Sequence, residues 1–218
     1  MSKIIIFGNK EMAEIANYYF ANDTEHEPIA FCVDGEYVQE SNFCNLPVIP
    51  FEEVAYKYPQ DQFCFHAAIY ANQMNKIRKQ IYEKIKQLGY NLVSYISSKA
   101  YTWNSVIGDN SFILEGCNIQ PFTYLGNNNV IWSFSHIGHH SLVGNHNFIS
   151  SHVVIAGNNR IDDNCFIGTN STTRDSIHIP SFTFIGQSSS VTKSIDQEGY
   201  LWIGSPLRKI KESEKVEL

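Results

Sequence analysis

Five of the eight histidines, His136, His139, His140, His146 and His152, fall within seventeen consecutive residues. Imidazole does two kinds of chemistry near neutral pH: it binds divalent metal, or it exchanges a proton with a pKa of about 6.5. Spacing separates the two. His140, His146 and His152 recur at steps of six, so in a chain that turns a corner every six residues they leave from three different sides and cannot share one ion. The five cysteines, Cys32, Cys44, Cys64, Cys117 and Cys165, lie far apart and form no C-x-x-C pair or Cys/His ligand spacing. No metal is expected, which leaves two readings of the cluster open: proton transfer, or solvent-facing polar residues on a His-rich corner.

The elements that position these histidines follow from a sustained period. Stepping by six from Ile107 gives Ile113, Ile119, Leu125, Ile131, Ile137, Val143, Ile149, Ile155, Ile161, Ile167, Thr173, Ile179, Ile185 and Val191, all aliphatic except Thr173. A helix needs apolar steps of three and four and a half-buried strand a step of two; a step of six is the signature of a hexapeptide β-helix. Glycine often follows the apolar residue (Gly108, Gly126, Gly138, Gly144, Gly168, Gly186) and asparagine is frequent nearby, as suits sharp corners. Three hexapeptides per coil stack residues eighteen apart. About five coils are expected over 106–195, with one weak rung at Thr173 and a turn adjustment or surface excursion around Thr172-Thr173-Arg174-Asp175.

Residues 1–95 show no such period. Strands are predicted over 3–7, 29–33, 62–68 and 91–95, with helices over 11–22, 51–58 and 74–88, the last capped by Asn72 and stopped by Gly89. Alternating strands and helices imply a small parallel, Rossmann-like α/β sheet. Ligands of such sheets sit at the carboxyl ends of the strands, which singles out Gly8, Asn9, Lys10 and Asp34 as substrate-binding candidates. The run Gly8-Asn9-Lys10-Glu11-Met12-Ala13 keeps one of the three glycines of a dinucleotide fingerprint, so a full NAD site is not expected. Two readings stay open there: a tight turn without a ligand, or a nucleotide held by backbone amides at the helix start. The domain plan is 1–95, a connector over 96–105, coils over 106–195 and a tail over 196–218.

A net charge of −6, with no basic block larger than Arg208-Lys209-Ile210-Lys211, gives no reason to expect nucleic acid or membrane partners. The apolar run Ile4–Phe7 is too short for a leader or a span. With the odd, scattered cysteines, this points to a soluble cytoplasmic protein.

A small α/β domain followed by hexapeptide coils and a closing Gly204-Ser205-Pro206 resembles the sialic-acid O-acetyltransferase (NeuD) family, which includes N-acetyltransferases of bacterial nucleotide-linked amino sugars. The resemblance spans nearly the whole chain. It is carried by Ile4-Ile5-Ile6-Phe7-Gly8, by Asp34, by Ser135-His136-Ile137-Gly138-His139-His140-Ser141-Leu142-Val143-Gly144, by Val154-Ile155-Ala156-Gly157, and by Val191-Thr192-Lys193. It implies a left-handed parallel β-helix, a homotrimer, acetyl-CoA as acyl donor, and acetylation of a nucleotide-linked deoxyamino sugar for a bacterial surface glycan such as lipopolysaccharide. It places the catalytic base on His139 with His140 beside it, and a contact to the thioester carbonyl on the Gly157 amide. Gly168, Thr169, Gly186 and Gln187 become further cofactor-side candidates. Two positions depart from the family: His140 stands where an acidic residue usually follows the base, and Phe148 where a second histidine often contacts the cofactor. Alternatives are O-acetylation of a hydroxyl and a non-catalytic trimeric scaffold that binds nucleotide sugars. Phe122, Trp132, Phe134, Phe148 and Phe182 lie outside the core columns and are either trimer contacts or coil-stacking side chains.

Overall fold

The computed structural model describes residues 2–216 and divides into two compact units, Met1–Tyr70 with Gln80–Tyr95, and Ala71–Lys79 with Ile96–Leu218. The boundary drawn from sequence at residue 95 thus needs one amendment: the segment 71–79 belongs with the coils.

In the first unit, β1 (Lys3–Phe7), β2 (Glu27–Val33), β4 (Leu46–Pro50) and β5 (Phe63–Ala67) run parallel in the order β4-β2-β1-β5. Helix α1 (Glu11–Asp23) follows β1, and α2 (Phe51–Lys57) follows β4. Ile4, Ile5 and Ile6 are fully buried, as expected of a strand covered on both faces. The short β3 (Asn42–Phe43) pairs antiparallel with β4 through Cys44 and Asn45, both at positive φ as a two-residue hairpin turn requires. Neither β3 nor β4 was expected, because Pro47 and Pro50 lower the strand signal and the turn lacks Asn-Gly. The strand expected over 91–95 is reduced to a single bridge, Phe65 to Leu92, and a short strand Tyr95–Ile96.

The helix expected over 74–88 is α3, Lys76–Gln87. It starts late because Gln73, Met74 and Asn75 all take left-handed backbone, with φ of 49°, 51° and 61°. Three such residues in succession cost about 1–2 kcal/mol each. Polar contacts offset that cost: Asn75 Nδ2 donates to the Cys165 carbonyl at 2.9 Å, and Arg78 donates to the Asn128 and Asn147 carbonyls at 2.9 and 3.3 Å.

The second unit is the left-handed parallel β-helix, its two-residue strands stacked at intervals of eighteen. The first face carries Val106–Ile107, Tyr124–Leu125, Leu142–Val143, Arg160–Ile161 and His178–Ile179. The second carries Phe112–Ile113, Val130–Ile131, Phe148–Ile149, Phe166–Ile167 and Phe184–Ile185. The third carries Asn118–Ile119, His136–Ile137, Val154–Ile155, Thr172–Thr173 and Ser190–Val191. The second residue of each pair points inward, and these residues form one apolar core to which Ile107 adds a partly buried end. Thr173 needs no excursion: its hydroxyl accepts the Ala156 N–H at 3.0 Å and completes the rung. Strand Tyr200–Ile203 continues the second face and pairs antiparallel with Arg208–Glu212.

Each corner turns on a left-handed residue. At the first-to-second corner these are Asn110, Asn128, His146, Asn164 and Phe182. His146 is the one titratable group in this column; its Nδ1 lies 2.9 Å from Asn128 Nδ2. Burial, reinforced by the positive charges of Arg78 and Lys79, pushes its pKa down to about 4. The unfolded chain takes up this proton near pH ~6.5 and the folded chain near 4, so between those values the unfolded state holds more protons and stability falls as pH drops. His146→Asn, which repeats the residue of the neighbouring coils, is expected to flatten stability between pH 6.5 and 4. Denaturant midpoints across that range check this, and parallel slopes in variant and wild type would refute it.

Candidate active site

The third-to-first corner stacks Pro121, His139, Gly157 and Asp175 in one column, with left-handed Phe122, His140, Asn158 and Ser176 beside them. Coil-to-coil amides fix the column: Asn158 N–H donates to the His139 carbonyl at 2.8 Å, and Ser176 N–H to the Gly157 carbonyl at 3.0 Å. The His139 N–H is capped by Gln120 Oε1 at 2.9 Å. Both histidines are exposed.

His139 Nδ1 and His140 Nδ1 lie 3.1 Å apart, their rings nearly perpendicular at 85°. One Nδ1 must carry the hydrogen and the other must accept it. With the hydrogen on His139, its Nε2 keeps a lone pair, and the Cε1–Nε2 edge of the ring faces Gly157 of the next coil. Phe122 supports the pair from behind, 4.8 Å from the His140 ring. Gly157 is demanded by close approach rather than by backbone angle: a Cβ there would stand 2.8 Å from both His139 Cε1 and Nε2. The arrangement is a pair of imidazoles joined Nδ1 to Nδ1, beside a glycine that leaves the His139 ring edge uncovered.

Other candidates fall elsewhere. The Gly157 N–H, expected to meet a thioester carbonyl, donates to Asp175 Oδ1 at 2.9 Å, so that amide is committed in this state. Phe148 is 1 % exposed, stacked on Phe166 at 5.4 Å with the Arg78 guanidinium 6.0 Å from its ring. It is a packing residue of the second face and not a cofactor contact. Gly168, Thr169, Gly186 and Gln187 lie on the second-to-third corner, a full face away from His139. A Cβ on Gly168 would come within 2.6 Å of the Gln187 nitrogen, and one on Gly186 within 2.6 Å of Ile203 Cγ2, so both glycines serve coil stacking; Thr169 and Gln187 are exposed. His140, His146 and His152 are the left-handed residues of three different corners, and among the described residues no group of three potential ligands is placed to hold a metal.

In the first unit β1 lies between β2 and β5, so Gly8 stands where the strand order reverses. Its φ of +132° and a Cβ position only 2.8 Å from the Ala68 carbonyl oxygen explain the glycine. Asn9 Nδ2 donates to the Tyr37 carbonyl at 3.2 Å. Asp34 is paired with Lys84, which also stacks 4.4 Å from the Phe51 ring. Lys10 precedes α1 without a side-chain cap, and Glu11 and Glu14 occupy its first turn. Those acids oppose an anion at the helix start, which leaves the tight-turn reading of this loop in place beside the nucleotide one.

The stride of eighteen that links His139 to Gly157 reaches Asp175 in one more step, inside the segment where the sequence suggests an excursion.

Residues 104–139 match the model of the bacterial transferase hexapeptide (six repeats). No curated protein sequence matches the chain. Among solved structures, the acetyltransferase domain of PglB from Neisseria gonorrhoeae FA1090 superposes with a TM-score of 0.84 at 20% identity, over 96% of this chain and 100% of that one. Its complex with acetyl coenzyme A gives 0.83 at 21% identity, over 95% and 98%. PerB from Caulobacter crescentus, in complex with CoA and GDP-perosamine, gives 0.83 at 17% identity, over 96% and 98%. The chain thus carries the bacterial transferase hexapeptide repeat, and over nearly its whole length its fold is similar to that of these acetyltransferases.

Proposed function

We propose that this protein moves an acetyl group from acetyl-CoA to the amino group of a nucleotide-linked deoxyamino sugar. The observation that carries the proposal is His139, with Nδ1 tied to His140 and Nε2 turned to the notch at Gly157, on a fold whose solved counterparts hold CoA with an amino-sugar nucleotide. Acetyl-CoA supplies the activated acyl group. His139 Nε2 takes a proton from the acceptor nitrogen as that nitrogen bonds to the acyl carbon, and returns it to the departing sulfur. His140 Nδ1 accepts from His139 Nδ1–H throughout, holding the tautomer that leaves Nε2 free. A carboxylate in that place would also stabilise the imidazolium by charge; a neutral imidazole orients the ring only.

The working unit in this reading is a homotrimer. Thr169 and Gln187 stand on one corner and His139 on another, so one copy cannot bring them to a single acyl donor while adjacent copies can. The outward residues of the first face support such packing: Val106, Tyr124 and Leu142 are 61%, 48% and 53% exposed, with exposed Phe122 at the adjoining corner. Gly8, Asn9, Lys10 and Asp34 are proposed as the nucleotide-side residues. The reaction serves surface-glycan synthesis, lipopolysaccharide included, in the cytoplasm, where CoA and nucleotide sugars are available. Among the described residues no helix is long and apolar enough to cross a membrane.

Acetyl-CoA at a hundred times its dissociation constant is expected to stabilise the protein by about 2.7 kcal/mol, read as a rise in melting temperature. No rise would leave a nucleotide-sugar-binding scaffold as the reading. His139→Ala is expected to lower CoA release with an amino-sugar nucleotide by about 10²–10⁴-fold. His140→Ala lowers it less, and His140→Glu restores it by returning an acceptor to Nδ1–H. Full activity in His139→Ala would remove the base from its assigned place.

A further inference from the structure

The corner that carries His139 holds a charged group that the reaction above does not use. Asp175 lies one coil beyond Gly157 and two beyond His139. Apart from the bond its Oδ1 accepts from the Gly157 N–H, its carboxylate makes no ion pair and no other hydrogen bond among the described residues. The position where a Gly157 Cβ would stand is 2.8 Å from His139 Nε2 and 3.2 Å from Asp175 Oδ1. The imidazole edge and the carboxylate therefore converge over Gly157 from the coils on either side, too close there to admit a Cβ, and both residues are open to solvent.

Capping a backbone amide does not require a carboxylate in this rod. At the first-to-second corner the same cap is made by Asn127 on Asp109, by Asn145 on Asn127 and by Ser181 on Asp163, all neutral groups. The acid in that ladder, Asp163, places Oδ1 against both the backbone and the side-chain N–H of Asn145. Asp175 has no such second donor. It keeps Oδ2 uncommitted and a full negative charge beside the base.

We propose that Asp175 receives the ammonium group of the acceptor at the Gly157 notch, opposite His139 Nε2, and so makes the site select amines over hydroxyls. This rests on the acyl-transfer reading above and adds to it a binding residue and the charge state of the substrate. An aliphatic amine arrives protonated at neutral pH and offers the carboxylate a charge-assisted hydrogen bond; a hydroxyl brings no charge to hold. The ammonium loses two protons on acetylation. The first passes to solvent. The second goes to His139 Nε2 as the N–C bond forms and the C–S bond breaks, and from there to the sulfur, while the Asp175 carboxylate stays ionised.

Asp175→Asn keeps an Oδ1 to cap Gly157 and replaces the charged Oδ2 acceptor by an NH2 donor; Asp175→Ser keeps a cap of the kind Ser181 makes. The test measures equilibrium binding without acetyl-CoA. Its probes are GDP-perosamine and the corresponding UDP- and dTDP-linked aminodeoxy sugars, each against the same nucleotide sugar with a hydroxyl in place of the amino group. Wild type is expected to prefer the amine form by about tenfold or more. Both variants are expected to lose that preference while binding CoA as wild type does, and in turnover their KM for the amine rises by a similar factor. An unchanged preference in both variants overturns the proposal; if His139→Ala is inactive in the same assays, acyl transfer stands without it. Wild type that neither binds nor acetylates any of these acceptors removes the acyl-transfer reading, and the proposal with it.

Discussion

Everything in the second unit depends on closing a coil in eighteen residues. Three two-residue strands meet around one axis when the inward positions are filled by medium-sized groups and every corner bends through a left-handed residue. From Ile107 to Val191 the inward groups are aliphatic except Thr173, whose hydroxyl completes its rung, and the outward position of each strand and the residue before each bend are left free to vary. The constraint converts spacing along the chain into contact in space. His139, Gly157 and Asp175 are distant in sequence and adjacent in the fold because each sits at the same phase of the coil.

That phase relation also explains how the proposed base is held without a buried charge. His139 and His140 are neighbours in sequence, and the left-handed bend at His140 turns its ring across the first so that the two Nδ1 atoms meet. The arrangement makes a bond that holds only while one Nδ1 still has a lone pair to offer, so the orientation of each ring is tied to the other. A carboxylate from another coil, Asp175, stands across Gly157 on the Cε1–Nε2 side of His139. In the proposed reaction, orientation falls to an imidazole and charge to an aspartate.

The period of six was legible in full, because one inward residue in six must be aliphatic whatever else the chain does, and the columns it defined are the columns of the structure. Thr173 broke the pattern only in composition, since a hydroxyl can complete the rung by accepting an amide hydrogen. The front sheet was legible where strands were uninterrupted, as at Ile4–Phe7, and illegible at Leu46–Pro50, where prolines occupy a strand near the sheet edge. At the candidate site, the stacking of His139 on Gly157 was reachable by the stride of eighteen. Phe148 was misplaced because aligning it with a family histidine says nothing of which side of the strand faces solvent; its neighbours Phe112, Phe166 and Phe184 at the same phase show a wholly buried outer row.

A rod built on one repeating length tolerates the gain or loss of a whole repeat far better than the loss of a single residue, because every inward column re-forms with its neighbour. Excision of residues 158–175 would leave Pro121, His139 and Gly157 in place and bring Lys193 to the position Asp175 now holds. The negative wall of the notch would become positive in one step, without a point mutation and without disturbing the base. In such a scaffold, the charge beside His139 can change by the loss or gain of a coil as well as by exchange of a side chain.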